Sequence, residues 1–433
     1  MPTTLIKNAT LVDATGSASS QSDVLISEGV IRGIGVGLSV PDGATVIDGS
    51  GCLLLPGLFD MNVHLREPGR EDKESIATGT AAAAHGGVTG ILAMPNTDPP
   101  IDSGGMVQSV RDLASKKSRV QLLTAGCLTK GREGMQMAAI AAMAEEGVCL
   151  LTDDPSPVAD PQLLRRCMEY ARQFDVRVGS HCSTPKLVKD GAMNEGAMAY
   201  RLGLPGMPAM AEELAIFRDI ELARLTRCKL HIQHVSTARG LDLIRQAKND
   251  GLDVTCEVAL HHLIFTDEAV VGYDTRFKMD PPLRTDLDRQ ALIDGVEDGS
   301  VDVLVSDHAP HTDFEKSADF NSAPFGVSAL DFVLPVVNDR LIATGALSWS
   351  TLIRGYVNRP REILGLDAVS VSERSKADLV LFDPNARQTV TVDGFYSLGH
   401  NSPFVGESLQ GTVRNVFFNG RMVDFACDPF FSD

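Results

Sequence analysis

The stretch FDMNVHLREPG, residues 59–69, is a short apolar run that ends in side chains able to bind a metal ion or a carboxylate. Asn62 and His64 stand one residue apart near the end of the run, and Arg66 follows them. In (β/α)₈ barrels the catalytic residues occupy this position, the carboxyl end of a strand. The stretch therefore predicts one strand of such a barrel, provided that other strands of the chain end in the same way.

The same arrangement recurs through the middle of the chain. Apolar runs such as GVCLLTDD (147–154) alternate with amphipathic segments long enough to form helices, such as DPQLLRRCMEYARQF (160–174). Seven or eight such units over roughly 310 residues predict an α/β fold with a (β/α)₈ barrel, and a doubly wound parallel sheet is the alternative. Polar donors follow six of the apolar runs, namely His64, Asn96, the pair Asp153 and Asp154, His181, His234 and Asp307.

The two ends of the chain have a different pattern. Short strand-like segments with Gly, Asp and Asn at the breaks fill the first 55 residues, and the same texture returns near residues 375–425. Because chain ends often lie close together, we expect these segments to pair. The predicted organisation is a small β-sandwich domain formed by residues 1–55 and 366–433, with the barrel formed by residues 56–365.

Composition limits the classes of partner. A formal net charge of -18 and a pI near 5.0 argue against binding to nucleic acid or to an anionic membrane surface. No apolar run approaches the roughly 20 residues of a membrane span, and the first residues lack a signal-peptide pattern. Eight dispersed cysteines without a CxxC pair predict reduced thiols. We expect a cytoplasmic protein that acts on a small molecule.

Three histidines and two carboxylates at successive strand ends predict a metal site. A single histidine at a strand end is more often a hydrogen-bonded structural residue, but five such residues together match the donors that Zn²⁺ takes in catalytic sites. We expect a metal-dependent hydrolase that binds one or two Zn²⁺ ions. The other histidines are assigned to structure or to the surroundings of the site: His85, His231 and His400 to structure, and His261 and His262 to supporting or packing positions.

Several motifs in order resemble the class I dihydroorotases of the amidohydrolase superfamily, and the likeness extends from Pro56 to about Gly365. The resemblance implies reversible hydrolysis of L-dihydroorotate to N-carbamoyl-L-aspartate in pyrimidine synthesis. The motifs are LLPGLFDMNVHLREPG (54–69), GGVTGILAMPNTDPPID (86–102), GAMNEGAMAYRLGLPGMPAMAEE (191–213), HVSTARG (234–240), PPLRTDLDRQALIDGVEDGSVDVLVSDHAPH (281–311) and APFG (323–326).

The resemblance also implies roles for individual residues. His64 would bind the more buried metal, and Asn62 stands where the family has a second histidine ligand. The family spacing of 27 residues to His181 selects Asp154 over Asp153 as the ligand that bridges two metals. The remaining implied roles are metal binding by His181 and His234, metal binding and general-base catalysis by Asp307, binding of the substrate carboxylate by Arg66, Asn96 and His311, and contact with the substrate ring by Asp280.

Two departures from the family pattern keep other functions open. The amide of Asn62 is a weaker zinc ligand than imidazole, and Asp280 replaces an asparagine that binds the substrate ring. One alternative is an impaired, dihydroorotase-like scaffold subunit for aspartate transcarbamoylase; a second is a cyclic amidase of the hydantoinase type. A homodimer is expected on general grounds, and residues 311–326 are expected to form a mobile loop over the site.

Overall fold

The computed structural model describes residues 2–425. The strands are β1 Thr4–Val12, β2 Ala18–Ser27, β3 Val30–Gly35, β4 Thr45–Asp48, β5 Leu53–Pro56, β6 Leu58–Val63, β7 Val88–Ala93, β8 Gln121–Thr124, β9 Leu150–Leu151, β10 Arg177–Ser180, β11 Met193–Asn194, β12 Gly206–Met207, β13 Leu230–Ile232, β14 Val254–Ala259, β15 Val303–Val305, β16 Leu379–Thr389, β17 Ser408–Phe418 and β18 Arg421–Met422.

Helices fill most of the connections between the strands of the central region. The α-helices are α1 Ile76–His85, α2 Gly104–Lys117, α3 Ile140–Glu145, α4 Pro161–Ala171, α5 Pro185–Val188, α6 Ala197–Leu202, α7 Met210–Thr226, α8 Ala238–Asn249, α9 Leu260–Ile264, α10 Asp286–Asp298, α11 Asp313–Lys316, α12 Val333–Val337, α13 Trp349–Ile353 and α14 Arg359–Leu364. Short 3₁₀ turns lie at Lys130–Arg132, Arg172–Phe174, Asp267–Val270, Thr275–Phe277, Leu330–Phe332 and Val392–Gly394, and π-helical turns at Asn338–Ile342 and Arg354–Asn358.

Eight parallel strands form a closed barrel. Strands β6, β7 and β8 pair in one group, and β9, β10, β13, β14 and β15 pair in a second. A parallel bridge between Gly126 and Leu151 joins the groups on one side. On the other side Val63 bridges His308, and the His64 amide donates to the His308 carbonyl at 2.8 Å. The predicted barrel is confirmed, and the doubly wound alternative is wrong because the sheet closes.

The barrel strands are buried on both faces and largely apolar, because one face fills the barrel and the other packs under the helices. All six residues of β6, LFDMNV, are buried, and so are all six of β7 and of β14. Several helices begin at side-chain caps; Ser75 and Thr78 form a capping box at α1, for example. The carboxyl ends of the strands therefore open on one side of the barrel, where the polar residues follow.

Strands from both chain ends share one sheet, in the order β18-β17-β16-β5-β1-β2-β3. Strand β1 pairs with β4 through its first half and with β5 through its second, so the sheet branches there. Leu55 of β5 lies opposite Val380 of β16 in the pairing that joins the two chain ends. Some apolar side chains of this sheet, including Leu54 and Leu381, form a separate buried cluster, whereas Leu55 and Val380 belong to the main cluster that includes the barrel. The predicted domain boundaries stay a prediction, and residues 426–433 lie outside the described part.

Two further sequence predictions concern the whole chain. Seven of the eight cysteines are described, and all seven are free thiols; Cys427 lies outside the described residues. Between residues 2 and 425, no helix is both long and apolar enough to cross a membrane.

Candidate metal and substrate site

A cavity of about 350 Å³ opens at the carboxyl ends of the barrel strands. Of the ten residues predicted for the site, eight line this cavity, and Asn62 and His181 lie buried next to it. The lining residues are His64, Arg66, Asn96, Asp154, Pro155, His234, Asp280, Asp307, Ala309, His311, Pro324, Phe325 and Gly326.

Asp154, His181 and His234, here called the Asp154 cluster, present their donor atoms to one point. His181 Nδ1 lies 3.3 Å and His234 Nε2 3.2 Å from Asp154 Oδ1, and the two nitrogens are 3.1 Å apart. Within residues 2–425 this is the only group of three His, Cys, Asp or Glu side chains whose ligand atoms lie within 4.8 Å of one another. Two imidazoles and one carboxylate are a donor set for a divalent metal such as zinc.

Electrostatics in the cluster favour a positive charge among these atoms. Burial raises the pKa of Asp154, but hydrogen bonds from His181 and His234 hold it well below its usual value. Burial lowers the pKa of His234, but the hydrogen bond and charge of Asp154 raise it to about 10. Asp154 Oδ2 is buried without a hydrogen-bond partner. A proton or a metal ion can supply the positive charge, so the donor set fits a metal.

Asp154 also faces a second group of donors. Its Oδ2 lies 3.4 Å from His64 Nε2, which is 3.7 Å from Asp307 Oδ1. The other ring nitrogen of His64, Nδ1, lies 2.9 Å from Asn96 Oδ1. The two oxygens of Asp154 thus point to different histidines, which is the arrangement that a carboxylate bridging two metal ions requires.

The neighbouring Asp153 is engaged elsewhere. Its Oδ1 accepts from the backbone amides of Leu128 at 2.8 Å and Thr129 at 3.0 Å, and the Thr129 hydroxyl donates to its Oδ2. These bonds tie the end of β9 to the preceding connection. Asp153 therefore has a structural role, and only Asp154 lines the cavity.

Asn62 is held by a carboxylate from another strand. Its Nδ2 donates to Glu257 Oε1 at 2.8 Å, while its Oδ1 is buried without a hydrogen-bond partner. Glu257 also accepts from the His234 amide at 3.3 Å, and its Oε2 lies 3.0 Å from His231 Nε2. Glu257 thus fixes the orientation of the Asn62 amide and leaves the oxygen as the one atom of Asn62 that could face a cation.

Three site residues have backbone conformations in the left-handed region. The φ angles are 62° for Arg66, 30° for His234 and 49° for Asp307. Such angles are uncommon for residues other than glycine, and strained residues concentrate at functional sites. The turns that end the barrel strands therefore direct these three side chains at an energetic cost.

His261 lies closer to the site than the sequence indicated. Its Nε2 is 3.8 Å from Asp307 Oδ2, and neither ring nitrogen has a hydrogen-bond partner although both are buried. Burial, with the charges of His262 and His234, lowers the pKa of His261 well below its usual value. His261 is therefore a neutral imidazole beside Asp307.

Arg66 and Asn96 present donors to the cavity. Arg66 Nε is buried and has no hydrogen-bond partner. Burial lowers the pKa of Arg66 to about 10, although Asp154 and Asp307 oppose the change, so the guanidinium stays charged at neutral pH. The Oδ1 of Asn96 faces His64, which leaves the amide hydrogens of Asn96 for a ligand. This side of the cavity suits an anion.

His311 and Asp280 complete the predicted set, but neither is free. His311 Nε2 lies 2.8 Å from the Phe325 carbonyl oxygen, and its Nδ1 lies 3.4 Å from Lys73 Nζ. Asp280 Oδ2 is 3.8 Å from His181 Nε2, and its side chain is 26% exposed. Lys73 could not be predicted as a neighbour of the site, because no motif near it indicates which loop it faces.

Residues 311–326 form one wall of the cavity. Lys316 donates to the carbonyl oxygens of Pro324 and Gly326, both at 3.0 Å, and Lys278 donates to the Asn321 carbonyl at 2.9 Å. Gly326 has φ 127°, and a Cβ there would lie 2.6 Å from the Ala309 carbonyl oxygen, so only glycine fits. The predicted mobility of this loop stays a prediction.

Comparisons with known proteins show the family to which the chain belongs. The family model described as Dihydro-orotase-like matches residues 51–239. The dihydroorotase of Caldanaerobacter subterraneus subsp. tengcongensis is 42% identical over 418 residues, which cover 96% of each chain. That of Pelotomaculum thermopropionicum is 41% identical over 419 residues, which cover 97% of this chain and 98% of the relative.

Solved structures of two other enzymes share the fold. The L-hydantoinase (dihydropyrimidinase) of Arthrobacter aurescens has a TM-score of 0.86 at 24% identity, over 98% of this chain and 96% of that one. The dihydropyrimidinase of Brevibacillus agri NCHU1002 has a TM-score of 0.83 at 24% identity, over 97% of this chain and 95% of that one. At this identity the likeness extends to the fold alone.

Proposed function

Because this chain belongs to the dihydroorotase family, we propose that it catalyses the reversible hydrolysis of L-dihydroorotate to N-carbamoyl-L-aspartate, a step of pyrimidine synthesis in the cytoplasm. The observation that carries the proposal is one cavity lined both by Asp154 and His234 of the Asp154 cluster and by Arg66, whose Nε has no hydrogen-bond partner. A cyclic amide with a carboxylate substituent has one group for the metal cluster and one for the guanidinium.

The metal would be Zn²⁺, held by Asp154, His181 and His234 at one position and by His64, Asp154 and Asp307 at a second. The nitrogen and oxygen donors of both groups suit zinc. When bound, the ion supplies Lewis acidity, which polarises a carbonyl oxygen and acidifies water. The second position is the weaker one, because Asn62 stands beside His64 and Glu257 binds its amide.

Asp307 would move the proton. Its carboxylate lines the cavity, and each oxygen faces a buried histidine, His64 or His261. A carboxylate so placed can accept a proton from the attacking water and return it to the ring nitrogen that leaves, which is general-base and then general-acid catalysis.

Arg66 would bind the substrate carboxylate, with Asn96 as a second donor. We expect Arg66→Lys to raise KM for dihydroorotate by about 10- to 100-fold with a smaller change in kcat, since an ammonium cannot reproduce the bidentate geometry. Steady-state kinetics would measure both constants. Arg70→Lys, in the same turn but half-exposed, is the matched control; an unchanged KM in Arg66→Lys would remove Arg66 from the binding role.

The function itself is tested by joining metal content with activity. The protein is purified without chelator, zinc per chain is counted by elemental analysis, and dihydroorotate hydrolysis is assayed with and without added Zn²⁺. Roughly one or two zinc ions per chain together with turnover would support the proposal. Absence of both zinc and turnover in excess metal would contradict it.

Asn62→His is expected to strengthen the second metal position. One imidazole nitrogen could donate to Glu257, as Asn62 Nδ2 does, and the other would replace the weak amide oxygen as ligand. We expect zinc affinity at this position to rise about 10-fold or more, measured by zinc content after dialysis against buffered Zn²⁺. The control is Asn338→His. Asn338 is also buried, and it lies in the π-helical turn Asn338–Ile342, where its side chain donates to the Gln410 carbonyl oxygen of β17. Equal zinc content in Asn62→His and wild type would contradict ligand loss as the effect of Asn62.

Asn62 and Asp280 favour a second candidate function, an impaired scaffold subunit that binds aspartate transcarbamoylase. Asn62 offers only a weakly donating amide oxygen where a histidine would bind a metal strongly, and Asp280 adds a negative charge beside a site for an anionic substrate. If the protein shows no turnover but co-migrates with aspartate transcarbamoylase in size-exclusion chromatography, the scaffold function is favoured. The same column gives the oligomeric state, for which we propose a homodimer.

Arg66 argues against the other alternative, a cyclic amidase of the hydantoinase type, because a hydantoin ring carries no carboxylate for Arg66 to bind.

A further inference from the structure

Lys73 is a buried lysine beside the cavity to which the proposed mechanism gives no role. Its side chain is 8% exposed, and its Nζ lies 2.6 Å from Glu315 Oε1 and 3.4 Å from His311 Nδ1. Lysine is seldom buried without a partner, so its position is set by these two groups. Lys73 belongs to the same turn as Arg66, because the Arg70 amide donates to the Arg66 carbonyl and the Lys73 amide to that of Arg70.

The contacts of His311 define which of its nitrogens carries the hydrogen. The Phe325 carbonyl oxygen, 2.8 Å from Nε2, can only accept, so Nε2 must donate. Burial, with the positive charges of Arg66, Lys73 and Lys316, lowers the pKa of His311 to about 3, so the ring is neutral at pH 7. Nδ1 therefore bears a lone pair, which faces the Lys73 ammonium.

Glu315 competes for the same nitrogen. Its Oε2 lies 3.5 Å from His311 Nδ1, and a carboxylate at this distance favours a hydrogen on Nδ1. Partial burial raises the pKa of Glu315, but hydrogen bonds from Lys73 and the Thr312 amide lower it to about 2, so Glu315 is ionised at neutral pH. Lys73 both pairs with this carboxylate and donates to Nδ1, so it opposes the Nδ1–H form of His311.

We propose that Lys73 is a positioning residue that keeps His311 in the neutral Nε2–H form, the form that can donate to the carboxylate of the substrate. This inference rests on the proposed function. If the ring rotates or Phe325 shifts, the Nε2–H group can donate its hydrogen bond to an anion in the cavity instead of to the Phe325 carbonyl oxygen. In the opposite tautomer, Nε2 would present a lone pair to that anion and repel it.

The test combines NMR with kinetics on the full-length, metal-loaded protein. ¹⁵N chemical shifts of the histidine side chains report the tautomer, and a His311→Asn spectrum assigns the His311 signals. In Lys73→Met the Phe325 carbonyl oxygen still accepts from Nε2 while Glu315 attracts a hydrogen to Nδ1, so we expect the hydrogen of His311 to be shared between the two nitrogens, and KM for dihydroorotate to rise about 10-fold with little change in kcat. A general loss of structure would lower kcat and the melting temperature instead.

Two further variants distinguish a change of tautomer from the loss of an ion pair. Lys73→Met/Glu315→Gln removes the competing carboxylate, so the Nε2–H form should return; Lys73→Arg should keep the wild-type tautomer. Lys248→Met controls for the loss of an ion pair as such, because it breaks the pair between Lys248 and Asp302 away from the cavity. If Lys73→Met does not fold, Lys73→Ala replaces it. An unchanged His311 tautomer together with an unchanged KM would overturn the inference. If the wild type does not hydrolyse dihydroorotate, the proposed function fails, and the NMR arm still tests the tautomer.

Discussion

Asp307→Asn is expected to lower kcat for dihydroorotate hydrolysis by about 10³-fold, within the range for loss of a general base. Asparagine has nearly the same shape but cannot accept a proton. The change also weakens one metal position, since Asp307 Oδ1 lies 3.7 Å from His64 Nε2, but it leaves the Asp154 cluster intact. Steady-state kinetics at saturating substrate, with zinc content measured on the same samples, would separate the lost base from lost metal.

The control for Asp307→Asn is Asp302→Asn, in the same β-strand region. Asp302 pairs with Lys248 and Arg359 and lies at the start of β15, away from the cavity. We expect this variant to lower the melting temperature and to leave kcat per folded molecule close to wild type. If Asp307→Asn kept most of the wild-type kcat at full zinc occupancy, another group would have to be the base, and neighbouring His261 would be examined next.

The barrel could be predicted from the sequence because its physical signals are local. A parallel strand that is covered on both faces needs a short, largely apolar run, and β7 (VTGILA) is an example; all six of its residues are buried. The positions of the polar residues can also be predicted from nearby sequence, because a metal-binding side chain that follows such a run lies at the carboxyl end of the strand. This rule brings His64, Asp154, His234 and Asp307 together, and all four line one cavity.

The contacts that refine the site could not be predicted in the same way. Asn62 and Glu257 are 195 residues apart in sequence, and Lys73 and His311 are 238 apart. Each pair is brought together by the closure of the barrel and by the path of a loop, which no single stretch of sequence determines. Family spacing favoured Asp154 over Asp153, and the structure supplies a physical reason: backbone amides bind Asp153.

Asp154→Asn is expected to weaken zinc binding by about 10³-fold, the equivalent of about 4 kcal/mol. The two oxygens of Asp154 face both groups of donors, His181 and His234 on one side and His64 on the other. An amide removes the negative charge that offsets the buried cation, and the remaining imidazoles are neutral ligands. Competition with a chromophoric chelator would measure the affinity, and elemental analysis the zinc retained after dialysis.

Asp153→Asn is the matched control, because it makes the same chemical change one residue earlier in the chain. Asp153 binds the Leu128 and Thr129 amides, so this variant should lose stability while it keeps zinc. Equal zinc affinity in Asp154→Asn and wild type would show that the metal, if bound, is held elsewhere. Loss of zinc from both variants would instead indicate that the end of β9 had unfolded, which their melting temperatures would reveal. Loss from Asp154→Asn alone would identify this carboxylate as the ligand on which the whole centre depends.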